Sequence, residues 1–483
     1  MIVLLALFCV FAPHSIALSQ MAFFTSLALW ILHLIWRRRA PVPWSVLDRP
    51  ILAFVGFTLL SAIFSYEPAV SVRKLASVSL VLLFFLVTRQ VRAARSARTL
   101  VVLMVASCLV NVGYVFWQKF AGHGLKIVQM SVDSPLGAAG LRPGDVILEL
   151  NDRAVDSLEE MVESARRSGQ SRVELFFYRP EIYIRQQVAV DQWRDVSSVG
   201  VVVAPWREFR AAGFYGWNYF TYAEVLQLLT AIACGIWLQA RRKRSWLFVW
   251  LTLVVLAMSA AIVLTLTRAV WIGFAAALLV MAVRSGQRWV LALLLIAGLM
   301  VAPVAVKMLY KTRGQPMLSR AEPSTAYRLT IWQEGARLLI RQPRHWLVGV
   351  GMDSLKTRWR EWGLFQGGRL PVGHMHSTPL QVALERGLPA FLCLVWWFGV
   401  YLRLLWRLTG ERLSAWDWLS QGVLIGILGG TVGFLVSSLA HYNFGDSEVI
   451  MIVYFLMAVA VVMDRAGPFA GEEPGRRAST GAA

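Results

Sequence analysis

A chain of 483 residues in which 57% are apolar and 21 are Trp is not an ordinary soluble domain, because apolar segments of about 20 residues recur along most of its length. The formal net charge of +20 does not point to nucleic acid: Lys and Arg gather between apolar runs, as in cytoplasmic loops, and no soluble basic module stands among them. Cys9, Cys108, Cys234 and Cys393 all fall inside apolar runs, so no disulfide framework or Cys-based metal site is implied.

Twelve apolar segments are predicted, near 2–12, 15–36, 50–65, 69–88, 98–120, 218–239, 245–267, 269–284, 288–306, 379–407, 418–440 and 447–464. The first lacks a basic n-region and a small-residue cleavage site and is followed at once by a second, so it reads as a short span rather than a signal peptide. Arg37-Arg38-Arg39, the Arg89/Arg92/Arg95/Arg98 stretch, Arg241-Arg242-Lys243-Arg244, Arg284/Arg288 and Arg403/Arg407/Arg412 occupy every second connection. By the positive-inside rule those connections are cytoplasmic, and so are both termini. The expected fold is an all-α polytopic membrane protein of about twelve transmembrane helices with the remaining connections facing outward, which in a Gram-negative cell means the periplasm.

Two of those connections are large. Within 121–215, Leu125 to Val132 alternates like a strand, and Gly137 to Ile147 joins a short helix to a buried strand. Ser157-Leu158-Glu159-Glu160 is a capping box opening a helix that runs to about Arg167, and Val173 to Tyr178 and Ile182 to Val190 read as closing strands. Through Ala139-Gly140-Leu141-Arg142-Pro143-Gly144-Asp145-Val146-Ile147 and the following Asn151-Asp152-Arg153, the stretch resembles a bacterial PDZ domain. That resemblance implies an α+β domain that docks an extended peptide on an open sheet edge; the alternative is a spacer.

The second, Lys307 to Val372, carries twelve Lys or Arg against four acids. Topology does not require that excess on the outward side; it marks an anionic ligand near the membrane face, attraction to anionic headgroups, or the exemption of long loops from the charge bias. Ser324 to Arg341 has helical spacing, stopped by Pro343. The chain thus divides into membrane helices in 1–120, the PDZ-like domain in 121–195, a linker and further helices in 196–306, the basic loop in 307–376, the last helices in 377–465 and a disordered cytoplasmic tail in 466–483.

Three residues converge on the outward membrane face. Arg268 follows Thr265-Leu266-Thr267 between two apolar runs, a costly place for a cation unless it is paired or faces a polar cavity. Arg328 opens the loop helix, and His376 opens the tenth apolar segment. Guanidinium forks bind phosphate oxygens in pairs and stay charged, and a neutral imidazole takes a proton from a hydroxyl. Each has a plainer reading: Arg268 as a snorkelling anchor, Arg328 as a solvated helix residue, His376 as a helix cap. His374 and His376 form an H-x-H pair with no nearby third ligand, a weak metal signal, and the other five histidines show no pattern.

Taken in order, the residues resemble the lipopolysaccharide O-antigen ligases, within the group that also holds O-antigen polymerases and protein O-oligosaccharyltransferases. The family signature, His then Asn, Ser or Gln, nine residues, then Gly, matches His376-Ser377 and Gly387; its last position, usually Gly, Thr or Tyr, is Ala390 here. Ser71-Val72-Arg73-Lys74-Leu75, Arg210 to Phe214, Leu264 to Arg268, Gly349-Val350-Gly351 and Asn443 to Glu448 are similar as well. The resemblance implies a metal-independent, cofactor-free, inverting glycosyltransferase that moves a glycan from undecaprenyl pyrophosphate to a periplasmic acceptor such as lipid A-core. On it, His376 is the base, Arg268 and Arg328 hold the pyrophosphate, and Arg73, Arg210 and His374 are further substrate contacts. Polymerase and protein oligosaccharyltransferase remain open, because the PDZ-like insert is atypical and suits a protein partner. An intramembrane zinc protease needs H-E-x-x-H, which does not occur. A transporter needs charges along mid-span, whereas these cations gather at the two faces.

Overall fold

The computed structural model describes residues 2–37, 44–179, 182–216, 218–240, 245–287, 303, 306–307 and 323–468. Most of the apolar segment at 288–306, residues 308–322 of the basic loop, the Arg241 to Arg244 cluster and nearly all of the C-terminal tail lie outside the described residues.

The chain opens with α1 (Ile2–Phe11), α2 (Ile16–Arg37), α3 (Asp48–Ile63), α4 (Pro68–Gln90, with a 3-10 turn at Ser79–Val81) and α5 (Ala94–Ala121). After a β-rich insert come α7 (Tyr219–Gln239), α8 (Trp246–Leu264) and α9 (Arg268–Ser285), numbered to leave α6 for the insert's helix. The loop contributes α10 (Pro323–Ile340) and α11 (Ser354–Trp362), and the chain closes with α12 (Thr378–Leu408), α13 (Trp418–Ser437) and α14 (Ser447–Ala466). Among the described residues nine helices are long and apolar enough to cross a membrane. Two of the twelve predicted segments are shorter, α1 with 10 residues and α3 with 16. A third, at 288–306, falls mostly outside the described residues.

Side chains at the helix ends sort these helices onto two faces. Arg89–Asp48 (3.7 Å), Arg98–Asp417 (2.5 Å) and Arg407–Asp464 (2.8 Å) tie together the ends that carry the arginine clusters. Asp417 also caps α13 by accepting from the Leu419 and Ser420 N–H groups. The opposite ends carry the insert and the 323–377 segment.

At the centre, α7, α13 and α14 are almost wholly buried. Glycine lets α13 touch its neighbours backbone to backbone: a Cβ on Gly426 would come within 2.4 Å of the Ile232 Cα, and one on Gly235 within 2.2 Å of the Gly422 carbonyl. Such approach gives membrane helices their dispersion contact, since lipid supplies no hydrophobic drive between them.

The insert is a six-stranded antiparallel sheet of β1 (Leu125–Met130), β2 (Val146–Leu150), β3 (Arg153–Ala154), β4 (Arg172–Arg179), β5 (Ile182–Ala189) and β6 (Val201–Pro205), in the order β5-β4-β2-β1-β6 with β3 on β2. Helix α6 (Leu158–Arg167) lies between β3 and β4, its Ser157 hydroxyl accepting from the Glu160 N–H at 3.0 Å as the capping box requires. Leu136, Ile147, Met161, Val173 and Leu175 form a core separate from that of the bundle. Strand β6 pairs with β1 from Leu125↔Pro205 to Met130↔Val201. It lies beyond residue 195, so the sheet takes in part of the stretch read from sequence as linker. The insert leaves and returns at one place, where the His123 N–H donates to the Trp206 carbonyl at 2.8 Å.

Candidate functional site

Helix α12 is broken where the sequence puts Glu385-Arg386-Gly387-Leu388-Pro389. Pro389 has no N–H to give the Glu385 carbonyl, and Gly387 turns to φ +83. The freed carbonyls find partners at once, as they must at membrane depth. Ser61 Oγ (2.8 Å) and the Gly351 N–H (2.9 Å) donate to the Glu385 carbonyl, and the Val350 N–H (2.9 Å) donates to that of Leu384. A Cβ on Gly349 would fall 2.4 Å from the Glu385 backbone, and one on Gly387 would fall 2.5 Å from the Leu347 carbonyl. The break is thus a socket for the 347–351 loop.

One turn before α12, residues 374–376 are fixed from both sides. From the loop helix α10, Trp332 Nε1 donates to the Met375 carbonyl at 2.7 Å and Tyr327 OH to the Pro371 carbonyl at 3.0 Å. From α12, the Gln381 carboxamide oxygen accepts from the Met375 N–H at 2.6 Å. The Thr378 N–H donates to the Ser438 and His441 carbonyls (2.8 and 2.9 Å), and its hydroxyl to the His441 carbonyl (3.0 Å). The 438–443 loop is anchored in turn by Glu224 of α7, buried and bonded to His441 Nδ1 (2.9 Å), Ser437 Oγ (2.7 Å) and Asn443 Nδ2 (3.2 Å).

His376 sits in this frame with a left-handed backbone, φ +46. For a residue other than glycine that conformation costs about 1 kcal/mol or more and persists only where its surroundings impose it. Leu266 (φ +52) and Asp353 (φ +59), near Arg268 and in the cavity wall, share it. The His376 ring lies 4.1 Å from that of His374 and 5.6 Å, edge to face, from that of Tyr327. Burial, then His374, Arg328 and His441, push the His376 imidazole down to about 2. Burial and then Lys356 and other neighbours push His374 down to about 4. Both rings are therefore neutral over the whole physiological range.

Beside His374 opens a cavity of about 180 Å³, walled by α3, α4, α12, α14 and the 352–356 segment. Lys74 and Lys356 stand at it and share Asp353, at 3.0 and 3.2 Å. Burial opposes ionisation of Asp353, but the two ammonium groups outweigh it and hold the carboxyl below its ordinary value. Asp446, which accepts from Thr221 Oγ1 at 2.9 Å, is pushed up to about 7 by burial.

Of the residues singled out from sequence, His374, His376 and Arg328 come together, the Arg328 cation acting on both rings. Arg268, half-buried, opens α9. Arg210 braces the turn before it, donating to the Thr265 and Leu266 carbonyls, both at 3.0 Å, and stacking 3.5 Å over Tyr219. Phe220 then bridges this corner to His441, ring to ring at 4.9 Å. Arg73 is exposed on α4 and does not line the cavity; its neighbour Lys74 does. Sequence reasoning gave no role to Lys74, Lys356 or Arg386, and found no pattern around His441. Ionisable residues inside apolar runs, Glu224 in α7 and Glu385-Arg386 in α12, were the available signal.

Two family matches accompany this geometry. Residues 253–395, which contain Arg268, Arg328, His376 and the broken helix, match the O-antigen ligase family, and residues 126–179 match the PDZ domain. Over 53 residues the chain is 42% identical to mitochondrial serine protease HTRA2 of Bos taurus, covering 11% of this chain and 12% of that protein. The chain thus spans about an eighth of that relative's length. Residues 253–395 thus match the O-antigen ligase family, and the chain carries a PDZ domain between its membrane helices.

Proposed function

We propose that the protein transfers a glycan from a polyprenyl pyrophosphate carrier to a hydroxyl acceptor on the outer face of a bacterial inner membrane. The observation that carries this reading is a neutral imidazole, His376, locked in a left-handed backbone beside the Arg328-bearing helix and at the lip of a broken membrane helix. In the reaction, the acceptor hydroxyl gives its proton to His376 while its oxygen forms a bond to the anomeric carbon. The bond from that carbon to the pyrophosphate oxygen breaks, and the electron pair leaves with the diphosphate, held by Arg268 and Arg328. Attack opposite the leaving group inverts the anomeric centre. No metal enters these steps. Burial, His374 and the Arg328 cation depress His376, and the donor's negative charge offsets the last of these, so the base strengthens when the donor arrives.

The acceptor is a lipid A-core, a growing lipid-linked glycan or a protein hydroxyl; the PDZ domain favours a protein partner at this site, because such domains take extended peptides on a sheet edge. Purified protein in proteoliposomes, given a polyprenyl-pyrophosphate oligosaccharide and a hydroxyl acceptor, tests the reaction. The reading expects a product of inverted anomeric configuration with one polyprenyl pyrophosphate released per transfer. Retention of configuration, or release of a monophosphate lipid, overturns it.

A further inference from the structure

The cavity beside His374 contains a charge that the steps above do not use. Arg386 of α12 is 6% exposed, lines the cavity, and has no hydrogen-bond partner for its Nε. Its guanidinium lies 5.1 Å from the Phe54 ring and 5.8 Å from that of Phe444, with the Tyr442 side chain beside it in the cavity wall. Among the described residues no carboxylate makes a salt bridge with it. Glu385, next in sequence, spends Oε1 on the Asp353 N–H at 2.8 Å. A buried cation without a paired anion costs several kcal/mol, and aromatic faces return only part of that. Two ammonium groups, Lys74 and Lys356, stand at the same cavity and share the Asp353 carboxylate; Glu385 and Asp446 also line it, and burial pushes Asp446 up to about 7. The 180 Å³ of space is more than ten times what one water needs, about 10–15 Å³.

We propose that this cavity is a second anion site, distinct from the Arg268 and Arg328 pair, in which Arg386, Lys74 and Lys356 hold a phosphate or phosphodiester group. Arginine supplies paired N–H donors to phosphate oxygens, and the lysines supply point charges at the wider mouth. His374 lies between this cavity and His376, while Tyr327 and Arg328 approach His376 from α10. As the place where a phosphate-bearing acceptor is held, the site rests on the function proposed above; as an anion site it does not.

The full-length protein in nanodiscs tests it by thermal unfolding. In phosphatidylcholine discs, inorganic phosphate and glucose 1-phosphate are titrated; in a parallel arm phosphatidylglycerol is added to the discs without soluble phosphate. A site filled well above its dissociation constant raises Tm by several degrees. The expected result is a rise in the wild type and in Arg268→Gln/Arg328→Gln, and none in Arg386→Met. A response to soluble phosphate marks a phosphorylated solute as the source, and one to phosphatidylglycerol alone marks a lipid headgroup. Without ligand, Arg386→Met should melt no lower than the wild type, because it removes an uncompensated buried charge at similar volume. Should it melt lower, Lys74→Gln/Lys356→Gln decides: loss of the phosphate response supports the site, and an undiminished response overturns it. A response lost in the Arg268/Arg328 variant and kept in Arg386→Met overturns the cavity site while leaving the pyrophosphate clamp standing. No response of the wild type to either phosphate source overturns it as well.

Discussion

His376 combines an unfavourable backbone with an imidazole stripped of basicity by burial and by the cation on α10. Because its pKa is lowered, protonation that would switch off the base occurs far below the ordinary histidine value. In kcat/KM, which reports the free enzyme, His376 therefore gives no acid limb between pH 7 and 5. In kcat the limb should move up only in part, because the bound diphosphate counters the Arg328 cation while burial, the largest cause of the depression, remains. A limb near pH 6.5 in kcat/KM that vanishes in His376→Gln would contradict this. For the arginines, Arg268→Lys keeps the charge and loses the fork, so transfer should fall by about 10-fold or more; a near-normal rate would make Arg268 an anchor. These residues were legible in the sequence because they stand at element ends beside polar stretches. Arg386 was not, since its burial and orphaned Nε exist only once Phe54, Phe444 and Tyr442 pack around it.

At the scale of elements, the break in α12 makes the site, because it turns two carbonyls outward for the 347–351 loop and sets the Glu385-Arg386 pair against the cavity. Gly387→Ala places a side chain at φ +83 and 2.5 Å from the Leu347 carbonyl. The expected loss is roughly 1–3 kcal/mol of stability, read as a fall in Tm; an unchanged Tm would show that the break is not fixed by this contact. Gly387 was visible in the sequence as a signature position. The helix at 323–340 and the capping box at Ser157 also followed from local pattern. What escaped was pairing at a distance: β6 on β1, and Glu224 on His441, 217 residues apart. Neither leaves a periodic trace in the chain.

For the whole molecule, alternating arginine clusters predicted which helix ends share a face, and the ion pairs Arg89–Asp48, Arg98–Asp417 and Arg407–Asp464 join ends of one predicted side. The count of spans was less legible, because α1 and α3 are apolar but short. The orientation that follows puts the PDZ domain outside. A single Cys at Val132, fully exposed, in a chain with Cys9, Cys108, Cys234 and Cys393 replaced by Ala, should react with a membrane-impermeant maleimide in intact spheroplasts. Labelling only after lysis would invert the topology. The insert's closely spaced ends predict that a chain with residues 124–205 replaced by a short linker still assembles its bundle. Such a chain should keep transfer to a small soluble acceptor while losing transfer to an acceptor that the PDZ domain recruits. The central claim is tested most directly by His376→Ala in proteoliposomes with a labelled polyprenyl-pyrophosphate glycan, following donor binding and glycan transfer together. The account predicts wild-type donor binding with transfer lowered by about 100-fold or more, and transfer at the wild-type rate would contradict it.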